Sequence, residues 1–212
     1  MKKTSFRRAM TAATSLVILA TAAFVSGCSN IKADIAKETV PADAGAIVET
    51  STTDAPWYSE RLEKMGFFVF PSPEPLPPFS VRTLSGADVG VGSLGGKVVL
   101  LNFWATWCPP CKSEMPSIQA LHERMKGSAF EVMAISVAER PSTVRDFLST
   151  NPYTFPIYLD ESGDASAPFA GRGIPTTFLL DKQGRAIAAV IGARSYDDPE
   201  TLALFRELAE RL

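Results

Sequence analysis

The chain has 212 residues, 46% of them hydrophobic and 21% charged, with 21 Lys and Arg against 23 Asp and Glu and a single His. That length accommodates one domain with a substantial core plus extra chain at an end. A formal net charge of −2 leaves no basic surplus, which excludes the cationic footprint of a nucleic-acid binder, and no nucleic-acid partner is expected.

Residues 1–27 read as an export signal, with a basic start to Arg8, an apolar and small-residue stretch from Ala9 to Phe24, and Val25-Ser26-Gly27 before Cys28. A retained membrane-spanning helix is the alternative, but the stretch is near the lower limit of ~17 residues and its Ala/Thr-rich core is only weakly apolar. Val25 to Cys28 resembles the lipobox of bacterial lipoproteins, which implies a diacylglyceryl thioether on Cys28. The folded part is then expected outside the cytoplasm, in the cell envelope, anchored to a bacterial membrane through its N-terminal lipid. Loss of residues 1–27 takes away Lys2, Lys3, Arg7 and Arg8 and no acid, leaving 17 basic against 23 acidic residues.

Residues 28–55 are polar and small without a period and read as a flexible tether. Residues 56–78 hold a short helix over Trp57 to Met65, the apolar run Gly66 to Phe70, and an extended link rich in proline, Pro71, Pro73, Pro75, Pro77 and Pro78. Phe67, Phe68 and Phe70 are expected to pack on the domain, with a docking surface as the alternative. The main domain is placed at 79–212. Phe79 to Leu84 and Ala87 to Val91 form a hairpin about Ser85-Gly86. Val98 to Trp104 is continuously apolar apart from Asn102, as suits a strand buried on both faces. A helix over 109–126 carries Met115, Ile118, Leu121 and Met125 on one face and stops at Gly127. Strands at 130–137, 155–159, 177–180 and 186–191 follow, with helices at 142–148 and 199–211 and a turn at Asp181 to Gly184.

Trp107-Cys108-Pro109-Pro110-Cys111 closes the apolar strand and opens the helix. A Cys-x-x-Cys pair serves as a redox dithiol or as half of a zinc site. Zinc needs about four N/S ligands, and only His122 and an acylated Cys28 remain, so no metal and no cofactor are expected. A four-residue loop constrains the unfolded chain little, which disfavours a purely structural bond. Cys108 precedes a proline and is steered from helical dihedrals, while Pro109 suits the first helical position. Cys108 is therefore the N-cap, where the free N–H groups and positive end of the helix stabilise a thiolate. It is expected to attack, and Cys111 to resolve the mixed disulfide. Trp107 is expected to shape the substrate-facing rim, Trp104 to lie in the core near the site, and His122 to be a helix-surface residue.

Here the chain resembles the thioredoxin superfamily, and within it the membrane-tethered TlpA/ResA-like thiol-disulfide oxidoreductases. The resemblance covers about residues 77–212 and rests on Asn102 to Pro116, on Gly173 to Gly184, and on the helix-plus-strand insertion between about 140 and 160. It implies an α/β, thioredoxin-like fold, a central mixed sheet flanked by helices with an N-terminal hairpin and that insertion. It further implies a redox-active disulfide between Cys108 and Cys111, a cis Ile174–Pro175 bond beside it, and an Ile174 backbone that presents hydrogen-bonding groups to substrate. Pro116 matches the helix-kinking proline of thioredoxins. Thioredoxin keeps an aspartate six residues before its first cysteine, where this chain has Asn102, which cannot take a proton from Cys111. Glu114 is the substitute, three residues after Cys111 on the same helical face, and such proteins commonly carry a glutamate there.

The resemblance implies a reductant of disulfide-bearing extracytoplasmic proteins, fed by a membrane-embedded electron donor. The cytochrome c maturation branch often has Pro-Glu where this chain has Pro175-Thr176, and is not favoured. Two other classes remain open. A thiol peroxidase would use Thr106, placed as the Thr before a peroxiredoxin's reactive cysteine. A copper(I)-binding lipoprotein would use Cys108 and Cys111 as a dithiolate, although no extra His or Met suited to the metal lies close to the motif.

Overall fold

The computed structural model describes residues 55–212. The expected export signal, Cys28 and the expected tether lie outside the described residues.

Among the described residues, eight strands form one mixed sheet in the order β1-β8-β7-β4-β5-β6-β2-β3. Its centre is β4 (Val98–Trp104), buried at every position, parallel to β5 (Phe130–Val137) and antiparallel to β7 (Thr176–Leu180). The strand is apolar throughout because both of its faces are covered. Its side chains alternate between two cores. Val98, Leu100 and Trp104 join one with α1 (Ser59–Lys64), α2 (Pro109–Arg124), α3 (Pro141–Thr150) and α5 (Pro199–Arg211). Val99, Leu101 and Phe103 join the other beneath the hairpin of β2 (Ser80–Thr83) and β3 (Asp88–Gly90) and the one-turn α4 (Ala167–Ala170). By this alternation Asn102, the one polar residue of β4, falls on the α2 face.

β6 (Ile157–Asp160) pairs parallel with β5 and antiparallel with β2, so the insertion extends the sheet and carries the hairpin. β7 and β8 (Arg185–Ile191) are joined by a turn that Asp181 organises, its Oδ1 accepting from Gln183 N and Arg185 N at 2.9 Å each. None of the described helices is long and apolar enough to cross a membrane.

Two expectations are corrected. The short helix and strand expected within 56–78 are present, but they and the Pro-rich stretch belong to the sheet and core and do not lead as a link into a domain that begins at Phe79. β1 (Phe68–Pro75) is hydrogen-bonded to β8 as an edge strand, and α1 buries Leu62 in the core, because proline is tolerated where one side of a strand has no neighbour. The phenylalanines do not all pack inward either. Phe67 is buried, but Phe68 is 64% exposed and with Phe70, Phe169, Phe178 and Ile191 lines an open groove of about 450 Å³. Strand alternation separates neighbours that composition groups together. The sequence reading also passed over α4, a single turn containing Pro168, whose Phe169 ring stacks on Phe103 at 5.5 Å.

Candidate active site

The chain leaves β4 at Trp104, turns through Ala105 to Trp107, and enters α2 at Cys108. Cys108 is extended, φ −94° and ψ 104°, and its sulfur accepts from Cys111 N at 3.2 Å, so it caps the helix. Cys108 and Cys111 are joined as a disulfide with Cα atoms 5.3 Å apart. Cys111 is fully buried, whereas Cys108 keeps 4% of its surface beside Trp107, which is 65% exposed. The inner cysteine is thus closed to a macromolecule, and the outer one keeps a small exposed edge.

The strand β7 supplies the opposite wall. Ile174–Pro175 is cis, and the Ile174 carbonyl oxygen lies 3.7 Å from Cys108 Sγ. Gly192 N donates to Pro175 O at 2.8 Å and Thr176 Oγ1 to Gly173 O at 2.6 Å, fixing the loop. Gly173 has φ +131°, a conformation a side chain would strain.

Glu114 lies one turn beyond Cys111 and is 1% exposed. Its Oε1 accepts from Asn102 Nδ2 at 2.8 Å and its Oε2 from the backbone N–H of Arg194 at 3.3 Å. Asn102 Nδ2 also donates to Thr177 Oγ1 at 2.9 Å, and the Tyr196 hydroxyl reaches that same oxygen at 3.0 Å. Burial pushes the Glu114 carboxyl up to about 7, against the lowering effect of the Asn102 amide and of the Arg194 N–H and charge. Tyr196 is pushed far above its ordinary range by burial and by Glu114, which keeps its hydroxyl protonated.

A second buried carboxylate supports the turn before Cys108. Glu139 accepts from Thr106 N at 2.9 Å and Ser136 Oγ at 2.6 Å, and also from Thr106 Oγ1. It follows Ala138, which has φ +56°, a non-glycine residue in the left-handed region. That bend turns the chain out of β5 toward Thr106. The hydroxyl invoked for a peroxidase is therefore given to Glu139, and no observation favours that reading.

The structure brings Cys108, Cys111, Glu114, Trp107, Ile174 and Pro175 to one end of the sheet. Trp104 is in the core and tilts on Phe147, and His122 is half-buried against Phe155. Sequence reasoning missed Asn102 as the partner of Glu114, and missed Thr177, Tyr196, Arg194 and Glu139. The one polar residue inside an apolar strand was a signal for the first, since a buried amide must find a partner.

A family model described as AhpC/TSA matches residues 73–189. The thiol-disulfide oxidoreductase ResA of Geobacillus kaustophilus is 35% identical over 124 residues, spanning 58% of this chain and 71% of that protein, and ResA of Bacillus cereus is 33% identical over the same length, spanning 72% of its own. Among solved structures, a secreted thiol-disulfide isomerase from Corynebacterium glutamicum superposes with a TM-score of 0.62 at 25% identity, covering 68% of this chain and 92% of that one. A thiol:disulfide interchange protein of the thioredoxin family from Chlorobium tepidum gives 0.53 at 30% identity, covering 66% and 95%.

Proposed function

The chain belongs to the AhpC/TSA family, in its thioredoxin-like, ResA-related group of thiol-disulfide oxidoreductases, and from that premise we propose that it works as a reductant of protein disulfides outside the cytoplasm. The observation that carries this reading is the buried Glu114 carboxyl, one helical turn from Cys111 and held by the Asn102 amide and the Arg194 N–H.

Cys108, as thiolate at the helix start, attacks one sulfur of a substrate disulfide, and the other substrate sulfur leaves as a thiolate and takes a proton from water. The mixed disulfide holds the substrate against Trp107 and the Ile174 backbone. Cys111 then gives its proton to the Glu114 carboxylate and attacks Cys108 Sγ. The second substrate sulfur departs as a thiolate, and the chain is left with the Cys108–Cys111 disulfide. An acceptor whose affinity for a proton lies near the working pH suits that transfer, and Asn102 and the Arg194 N–H hold it in place. Two electrons and two protons from a membrane-embedded donor restore the dithiol. The export signal and Cys28 support a lipid anchor, and the secreted Corynebacterium relative supports the compartment.

The equilibrium potential of the Cys108–Cys111 pair, read by Trp107 fluorescence in thiol buffers, tests the direction of electron flow. A value at or below about −250 mV is expected, and one near about −120 mV would make the chain a disulfide donor instead.

A further inference from the structure

Arg194 lies beyond the span matched by the family model, and so do the groups that hold its side chain. Its guanidinium donates to the Met65 carbonyl, at the end of α1, and lies 4.5 Å from the centroid of the Phe67 ring and 5.4 Å from that of Tyr196. Phe67 and Tyr196 are themselves buried. A planar cation set against one aromatic ring and near another, with a carbonyl at its tip, has little freedom left. The backbone N–H of this same residue is the second donor to Glu114.

We propose that Arg194 is a positioning residue that ties α1 to the proton-transfer group, holding the loop from Gly192 to Tyr196 so that its backbone N–H stays on Glu114 Oε2. The titratable and charged groups facing Glu114 are few. Arg194 faces it from this loop, Tyr196 acts through Thr177 Oγ1, and Cys111 lies on its own helix, while β4 presents only the neutral Asn102. The N–H and the charge of Arg194 both lower the proton affinity of Glu114, and of the two only the N–H is hydrogen-bonded to it, at 3.3 Å. What the side chain contributes is therefore mostly place. The helix α1, far in sequence from Cys111, thereby becomes part of the machinery that sets when Cys111 can lose its proton.

This inference rests on the reading of Glu114 as proton acceptor, and its test separates the two. The full chain, oxidised and labelled with carbon-13 at glutamate carboxyls, is titrated by NMR, with the Glu114 resonance assigned by its loss in Glu114→Gln. In Arg194→Met the midpoint is expected to rise by about one pH unit, as one hydrogen bond to the carboxylate is lost. Arg194→Lys keeps the charge without the planar fork and is expected to show most of the same rise. An unchanged midpoint in Arg194→Met, or full restoration by Lys, overturns the proposal. If the Met variant does not fold, the Lys variant decides alone by the same criterion. A moved midpoint together with unchanged reduction kinetics in Glu114→Gln would leave Arg194 its role and refute the relay.

Discussion

Asn102 Nδ2 donates to Glu114 Oε1 across the joint between the central strand and the active-site helix, at 2.8 Å and out of reach of water. A strand amide thus restrains a helix carboxyl that burial would otherwise drive higher still. The pair converts a desolvated acid into one poised near neutrality.

Stability is expected to depend on pH through this group. Its ordinary value of 4.5 is raised to about 7 on folding. Below pH 4.5 both states hold the proton and the contribution is complete. As pH rises from there to about 7 the unfolded chain releases the proton while the folded one keeps it, so stability falls, by roughly 3 kcal/mol, and then levels off. Urea unfolding of the oxidised protein at pH 5 and pH 8 is expected to show that loss, and Glu114→Gln to lack it. Equal losses in the two proteins would assign the effect to other groups.

The two cysteines are expected to fail differently. Cys111→Ser leaves the outer thiolate without a resolving partner and accumulates a mixed disulfide with a disulfide-bearing protein, visible by non-reducing mass spectrometry. Cys108→Ser exposes only a fully buried thiol and gives no adduct. Catalytic reduction falls to background in both. An adduct through Cys111 in the second variant would reverse the assignment of attacker.

Glu139→Ala removes the acceptor of three donors, Thr106 N, Thr106 Oγ1 and Ser136 Oγ. The cost is expected at about 2–4 kcal/mol, from donors left buried without partners. Denaturant midpoints measure it. Increased mobility of Trp107, read by fluorescence anisotropy, is expected alongside, because the turn that Glu139 holds leads directly into that residue.

Cys28→Ser is expected to abolish lipid attachment, leaving an unprocessed precursor of higher mass and no acyl group on mass spectrometry. Unchanged precursor size and membrane fractionation would remove the anchor from the proposed function.

The redox pair, its capping geometry, the order of strands and helices after Phe79 apart from the single turn of α4, and the cis bond at Pro175 were legible in the residues and the resemblance they carry. Such features are local: a proline after a cysteine, an apolar run of strand length, a turn at Asp181. What escaped was pairing at long range. No pattern near Pro71 says that β1 lies beside β8, and nothing around Arg194 says that its side chain meets Phe67 while its N–H meets Glu114. The role of Glu139 depends on a bend at Ala138 that only the folded backbone reveals. Glu114 was found by its helical spacing together with the glutamate that the resemblance places there, but its burial is a property of the Asn102, Thr177 and Tyr196 shell and could not be read from α2.

The prolines of β1 acquire meaning from the proposed function. Clients of a disulfide reductase are often partly unfolded and carry unspent backbone donors and acceptors, which an open sheet margin would capture along its length. At one margin Pro71, Pro73 and Pro75 offer no N–H, and at the other β3 is only three residues long. Neither border is a good template for another chain. Under the proposed function, a client would engage at the end of the sheet, beside Cys108, and depart once its sulfurs are reduced.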